Sequence, residues 1–480
     1  YDLSSNLTFF SDVLYYKSDT IQNNSPSAAF STSRIIVPAN NYWNPFGPVN
    51  FNDGRANPNR VRLNNTGQDI SQTIPDDGLP ILIDWYRYVD VGPRVVNVEK
   101  DTYRFLFGLR GASKNWRWET AIFTSKANTD DITSNRLSNS LVEEALSLST
   151  PDAYNPFNGG GNYINYLSTG NDGTPSTNSS IKNAIIDVYR KGERELNSFD
   201  FKITNDSILS IKSGKISFAG GLEFRSDKFT DDRDPRLDGT IKYIDKDGDT
   251  YPFVSDVMNS SPTPDNSGKR DVFSAYAEFL VPLISEEMNL FFAKSMNLQI
   301  AGRFEDFSDV GSKSVPKIAI GWEVNKNLFI RGSLSKGFRV PNLVQINESI
   351  VSRQLSRDDA YLCLQQIRAQ GAIDDCDYSI QRVAQGSKAL KPENSTNTSL
   401  GLIYQPNFIN NFNLTIDWWE IEKEDTIGLF GENNLILSDL ILRLNSNDIN
   451  NCSNIEFNSN VIREKIDPTE MNAFLDVGLC

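Results

Sequence analysis

The chain has no histidine. Without an imidazole, Ser-His-Asp triads, Cys-His dyads, HExxH sites and most mixed zinc sites are excluded, and much of enzymology goes with them. Long apolar runs are missing too. Nothing approaches the roughly 18–20 consecutive apolar residues of a membrane-spanning helix, and mean hydropathy is −0.41. Bases are outnumbered, 47 Lys+Arg against 62 Asp+Glu, for a formal charge of −15. No nucleic-acid partner is expected, because phosphate-backbone binders need a basic face to displace counterions. The sequence opens at Tyr1 with no Met, basic n-region or apolar h-region, which is the start expected of a mature product or of a piece of something longer.

Cysteine is confined to the last quarter, at Cys363, Cys376, Cys452 and Cys480. Neither a CxxC spacing nor histidine supports a metal there, and no cofactor is expected. Of the possible pairings we expect Cys363–Cys376 and Cys452–Cys480, which implies an oxidising compartment; free buried thiols are the alternative.

What is abundant is aromatic and alternating. Phe, Tyr and Trp make up 11% of the chain against 39% for all hydrophobic residues. In Ser213–Phe229 the even positions read Gly214, Ile216, Phe218, Gly220, Leu222, Phe224, and the odd positions Lys215, Ser217, Ala219, Gly221, Glu223, Arg225. That period of two is a strand with one apolar and one polar face. It is longer than the about 5–6 residues usual in soluble folds and suits the about 9–11 that cross a bilayer. The pattern recurs at Leu3–Tyr16, Leu82–Val91, Tyr103–Gly111, Trp116–Thr124, Phe199–Leu209, Val272–Leu283, Met296–Phe304, Ile318–Val324, Leu328–Ser335, Thr398–Tyr404 and Phe412–Trp418. Roughly twelve long strands result. Helical periodicity is confined to Asn139–Leu148 and Leu362–Ala369. Between Tyr16 and Leu82 one further crossing is expected, at Ser33–Val37 or Arg60–Leu63.

Alternation alone does not separate a soluble sandwich from a barrel in lipid, but the connections do. Short turns near Ser213-Gly214, Ser285–Asn289, Asn325–Asn327 and Pro406–Asn411 alternate with longer loops at Asp231–Gly268, Asp306–Lys313 and Pro341–Asn394. Such sorting is expected when one end of every hairpin faces the periplasm and the other carries extracellular loops. Aromatics near strand ends, Tyr15-Tyr16, Trp85-Tyr86, Trp116 with Trp118 and Trp418-Trp419, suit interfacial girdles.

The segment GRFEDFSDVGSKSVPKIAIGWEVNKNLFIRGSLSKGFRVPNL, Gly302–Leu343, resembles the barrel domain of TonB-dependent outer-membrane receptors. Val272–Leu283, Leu390–Pro406 and Asn413–Gly428 extend the resemblance. Tyr103–Glu119 and the Asn-Pro-Phe loops at Asn44–Gly47 and Asn155–Phe157 carry it more loosely. The resemblance implies an all-β, antiparallel, up-and-down transmembrane barrel, of which the chain supplies roughly 12 of about 22 strands. It further implies uptake of a scarce nutrient (siderophore, cobalamin or oligosaccharide) across the outer membrane, driven by the TonB complex through an N-terminal plug. No segment here resembles that plug or the closing aromatic strand. Residues 1–480 are therefore expected to be an internal part of a single barrel domain, with the plug absent. The protein is expected to be monomeric, embedded in outer-membrane lipid and not an enzyme. The alternatives are a passive porin or adhesin barrel and a soluble polysaccharide-binding β protein.

On the polar strand faces, Glu223, Arg225, Arg303, Glu305, Arg331 and Asp417 are expected to line the lumen, either contacting plug or solute or stiffening the wall as a salt-bridge ladder. Ligand selection is expected from the long loops, above all Asp231–Gly268 and Pro341–Asn394. Asp245-Lys246-Asp247-Gly248-Asp249 has the composition of a calcium loop, but its glycine falls at the fourth position and no glutamate follows at the twelfth, so a polar tip is expected. The acid pairs Glu143-Glu144, Glu286-Glu287 and Asp358-Asp359 are read as solvated loop charge and not as glycosidase carboxylates.

Overall fold

A computed structural model describes residues 1–61, 67–70, 72–157, 179–374, 376–409, 411–464 and 467–480. One 12-stranded sheet dominates it. In chain order its strands are β1 (Asp2–Ser4), β2 (Leu7–Asn24), β3 (Arg94–Ser113), β4 (Trp116–Leu137), β5 (Ile185–Ile211), β6 (Gly214–Arg233), β7 (Asn266–Ile284), β8 (Ser295–Phe307), β9 (Gly311–Asn325), β10 (Leu328–Arg339), β11 (Glu393–Tyr404) and β12 (Leu414–Glu424). Each strand pairs antiparallel with its predecessor and its successor, an up-and-down meander in which β1 and β12 have one neighbour each.

Alternation sorts the side chains into two continuous faces. Phe107, Ile122, Phe199, Phe224 and Phe273 are successive register partners across β3–β7 and form an apolar row. On the opposite face Thr8, Arg110, Glu119, Lys202, Gly221, Tyr276 and Arg303 form a mostly polar one. Ile122, Phe199 and Phe224 are 56%, 46% and 50% exposed. A soluble sandwich would bury that face; here it is the outer wall of a barrel segment whose polar face turns inward. Gly108 has a steric reason on the inner face: a Cβ there would meet the Phe10 ring, whose centroid lies 4.6 Å from the Arg110 guanidinium.

The strands outrun their sequence signal. Phe199–Leu209 lies within β5, which is 27 residues long. At about 3.3 Å per residue that is close to 90 Å of strand, far more than an apolar band of about 25 Å requires. On β5 the outer-face apolar residues stop at Phe199, and Asn197, Glu195, Glu193 and Lys191 continue the strand beyond it. There both faces are mostly polar and the period of two fades. On β2 and β3 the limit is marked by Tyr15 against Tyr103, ring centroids 5.0 Å apart. Beyond them Lys17 pairs with Glu99.

Four expectations need correction. Leu82–Val91 is not a wall strand: Ile81–Leu82 and Trp85–Arg87 belong to two small two-stranded sheets with Ile36–Val37 and Ala28–Phe30, and Val89–Val91 is a 3-10 turn. Gly92-Pro93 then resets the chain before β3. No extra crossing occurs at Ser33–Val37, and Arg60 and Val61 are in no strand; residues 62 and 63 lie outside the described ones. The expected loop Asp306–Lys313 is a tight turn, since Phe307 pairs with Gly311 and the left-handed φ of +76° at Gly311 closes it. The connections at that end are therefore not uniformly long. Finally, besides the helices Asn139–Leu146 and Ala360–Gln370, the chain forms helices at Glu432–Asn445 and Pro468–Leu475.

The buried core is not in the wall. Its main cluster, including Ile35, Tyr88, Leu146, Tyr154 and Tyr243, is built by the connections 25–93, 138–184 and 234–265, all at the same end of the sheet, with Leu137 joining it from the end of β4. A smaller cluster of Tyr361, Phe474 and Leu479 joins 340–392 to 425–480 at that end. The loops thus fold into a crown, while the wall leaves its apolar side chains to the bilayer.

Candidate functional site

On the inner wall the six residues singled out from sequence fall into two groups. Glu223 accepts from Arg225 (3.5 Å) and Arg303 (3.3 Å), and Arg303 also pairs with Glu305. Ser274 lies between Glu223 and Glu305 in register, so the charges bridge over a small side chain. Away from this tetrad, Arg331 donates to both oxygens of Asp417 at 2.8 Å. The intervening register partner is Gly401, where a Cβ would meet the Asp417 carboxylate and the Arg331 guanidinium; the glycine leaves room for the pair to close. All six side chains are thus engaged in a ladder along the wall. Arg110, Glu119 and Lys202 belong to the same kind of ladder, although the sequence reading does not single them out.

Where the wall meets the crown lies a cleft of about 580 Å³. Strands supply Lys100, Arg190, Arg194, Asp231 and Arg233, the loop 234–265 adds Thr263 and Pro264, and the short helix Leu343–Asn347 closes one side. Arg190 donates to Asp231 through Nε (2.7 Å) and Nη2 (2.9 Å), and Arg233 donates to the same carboxylate at 2.8 Å. Two guanidinium groups therefore share one carboxylate. Arg194 is held more loosely by Asp227 at 3.5 Å. The sequence does carry a signal for part of this group. Continuing the odd positions of β6 past Arg225 gives Asp227, Phe229, Asp231 and Arg233, all on the inward face. A larger hollow of about 810 Å³, floored by Gly220, Ala277 and Gly302, opens on the apolar outer face, away from these charges.

The crown over the cleft is held by buried polar groups. Asp256, fully buried, accepts from Ser138 Oγ (2.7 Å), from Ser140 N (2.9 Å) and Oγ (2.6 Å), and pairs with Arg236. The Asn-Pro-Phe loops share one device: the Asn44 Oδ1 accepts from Phe46 N and the Asn155 Oδ1 from Phe157 N, each an Asx turn. Asn44 and Asn41 then donate to backbone carbonyls of neighbouring segments, Leu79 and Leu146 among them. Tyr154 donates to Asp90 and meets the Tyr86 hydroxyl at 2.9 Å; burial pushes the Tyr86 phenol up to about 12, so it stays protonated. Glu143 accepts from the Tyr243 hydroxyl at 2.7 Å, and burial pushes its carboxyl up to about 7.

The remaining candidates are accounted for locally. Asp245 caps its own tip, accepting from Asp247 N, Asp249 N and the Tyr251 hydroxyl, and no group of three metal-ligating side chains occurs among the described residues. The acid pairs do not converge, but two of their members are not the solvated loop charge expected: Glu143 is partly buried against the Tyr243 hydroxyl and Asp359 is buried against Arg463, while Glu286-Glu287 sits in a turn between β7 and β8. The structure joins Cys363 to Cys376 and Cys452 to Cys480, with Cα separations of 5.2 and 5.3 Å. Both bonds brace the small cluster in which Tyr361 stacks on Phe474 (5.4 Å) and Arg463 reaches from Asp359 to the buried Asp439.

Residues 42–439 match the family model of the TonB dependent receptor-like beta-barrel. A curated relative, the probable TonB-dependent siderophore receptor PirA of Acinetobacter baumannii, is 27% identical over 141 residues, 29% of this chain and 16% of that one. The crystal structure of PirA from that organism has 15% identity and a TM-score of 0.40, covering 70% of this chain and 41% of its own. The ferric enterobactin receptor PfeA of Pseudomonas aeruginosa has 13% identity and a TM-score of 0.39 over 69% and 40%. The chain spans less than half the length of each. With the family model covering most of the sequence and an up-and-down wall with outward apolar and inward charged faces, the chain belongs to the TonB-dependent receptors and forms part of their β-barrel.

Proposed function

We propose that the protein takes part in TonB-dependent uptake of a ferric siderophore across the outer membrane, binding it first in the cleft between wall and crown. The observation that carries this reading is the Arg190–Asp231–Arg233 group, two guanidiniums sharing one carboxylate at a half-open cleft that is large enough for a small chelate and is also lined by Asp131, Glu193 and Glu348. Planar guanidiniums suit the carboxylate, hydroxamate or catecholate oxygens of an iron chelate, because they donate in pairs. The ladder of Glu223, Arg225, Arg303 and Glu305 lies further along the same inner face and would keep the path below hydrated and stiff. No bond is made or broken; work enters through TonB and the plug, and none of the described strands or loops is assigned to that plug. On this reading residues 1–480 lie within one barrel domain.

Growth of a deletion strain on a panel of ferric siderophores, cobalamin and oligosaccharides tests the reading. Loss of growth on one siderophore class, restored by the wild-type gene and reduced at least tenfold in uptake rate by Arg190→Gln with Arg233→Gln, is expected. Unchanged growth on every siderophore, or uptake that persists without TonB, would reject it.

A further inference from the structure

The hollow of about 810 Å³ on the outer face is a groove with a direction. Its floor is one register row of small residues, Gly220 on β6, Ala277 on β7 and Gly302 on β8, and the row ends at Pro316 on β9. A Cβ at Gly302 would meet nothing within 4 Å, so the floor is open. Larger side chains stand along both edges. Phe218, Phe279 and Ile300 form the next row toward the short turns, and Leu222 and Phe304 stand toward the crown.

The row does not stay at one depth in the wall. On β6 and β7 the outer face remains apolar on the crown side of the row, as far as Phe224 and Phe273. On β10 and β11 the aliphatic residues end short of the row, at Leu334 and Leu400, and Phe338 beyond it packs edge-on against the buried Phe307. The groove therefore begins within hydrocarbon and emerges at the headgroup level. At that end β9 and β10 part. Their pairing stops at Lys317 and Ser335, although β9 runs on to Gly311 and β10 to Arg339. Pro316 has no amide with which to continue the ladder. Lys336, next on β10, stands on the outer face level with Pro316 and is exposed. It makes no ion pair among the described residues, and the first acid along its row is Glu422, two strands away.

We propose that this groove holds one anionic lipid of the outer leaflet, its acyl chain lying along Gly220, Ala277, Gly302 and Pro316 and its phosphate at Lys336. The place of the chain follows from the depth of the groove. Within the apolar band only hydrocarbon adjoins the wall, and a recess between aromatic ridges gives an acyl chain more contacts than a flat surface does. The place of the headgroup follows from charge. An interfacial lysine lays its stem on the apolar wall and keeps its ammonium among the headgroups, and here no carboxylate of the protein neutralises it. The parting of β9 and β10 adds donors. Alternate backbone amides on the facing edges above Lys317 and Ser335 have no ladder partner, and a phosphate oxygen accepts from such groups. The site rests on the barrel wall alone and is independent of the nutrient taken up.

Native mass spectrometry of the receptor released from nanodiscs of phosphatidylcholine and phosphatidylglycerol in equal amounts tests this. In the wild type one phosphatidylglycerol is expected to stay bound, in preference to phosphatidylcholine. Lys336→Gln should weaken its retention roughly fivefold and abolish the preference, the size expected of one interfacial lysine. Gly302→Leu fills the open floor with a side chain suited to hydrocarbon, so the wall should fold and retention of both lipids should be lost. Gly332→Leu, an equal enlargement of the outer face outside the groove, should change nothing. Heat-modifiable electrophoresis establishes that each variant is folded before its lipid is counted. The proposal is overturned by a wild type that retains no lipid or retains the two lipids equally, and by undiminished retention in Gly302→Leu. A receptor dimer that Gly302→Leu disrupts overturns it too, because the groove would then belong to a second copy.

Discussion

Asp256 shows how much one side chain can hold at the membrane's outer edge. Its carboxylate has no exposed surface and satisfies two serines, a backbone amide and Arg236, drawing 234–265 against the helix Asn139–Leu146. Arg236 is partly exposed, so removing the carboxylate costs chiefly the donors it leaves unpaired, the Ser138 and Ser140 groups, at about 1–3 kcal/mol each. Asp256→Ala should therefore open the crown to limited proteolysis while the wall stays folded. Arg331 and Asp417 are the contrasting case. Both are about half exposed, and pairs of that kind are worth roughly 0.2–1 kcal/mol, so the wall ladder as a whole matters more than this member. Glu223, Arg225, Arg303 and Glu305 are legible in the sequence because alternation assigns every second residue to one face. Arg233 is legible only by carrying the odd positions of β6 past Arg225, and Arg190 is not, because in Arg190–Asn197 and Ser226–Arg233 both faces are mostly polar and the alternation carries little contrast.

At the scale of elements, the apolar band of each strand is readable from sequence and its ends are not. Hydrocarbon demands apolar side chains on one face only over the band, and outside it nothing in the residue types distinguishes strand from loop. Glu432–Asn445 escapes the sequence reading for a different reason. Leu437, Ile441 and Leu444 have helical spacing, but they are exposed, so the stripe faces no core that would give it meaning. The two disulfides brace this region. In the loop-entropy description a bond spanning 28 residues stabilises by about 0.7 kcal/mol more than one spanning 13. Cys452→Ser with Cys480→Ser should accordingly sensitise 425–480 to protease more than Cys363→Ser with Cys376→Ser sensitises 360–384, and reduction of the wild type should reproduce both. Equal sensitivity would show that packing of Tyr361 on Phe474 dominates.

For the whole molecule the two faces of the wall make opposite demands on charge. Phe224 lies mid-row on the outer face, and a lysine there must enter hydrocarbon at about 2–4 kcal/mol, depending on depth. Ser198, on the inner face beside Arg225, should accept lysine at little cost. Comparing the folded fraction of Phe224→Lys and Ser198→Lys in bilayers, by heat-modifiable electrophoresis, checks the assignment of inside and outside; the reverse order would invert the barrel. The placement of the buried core has one more consequence. A wall held by ladder hydrogen bonds and lipid, and a crown held by Tyr88, Tyr154 and Tyr243 in water, do not draw on the same solvent for their stability. Heat and denaturant act on them separately, so calorimetry on such a molecule records two cooperative units, and a single transition temperature describes neither.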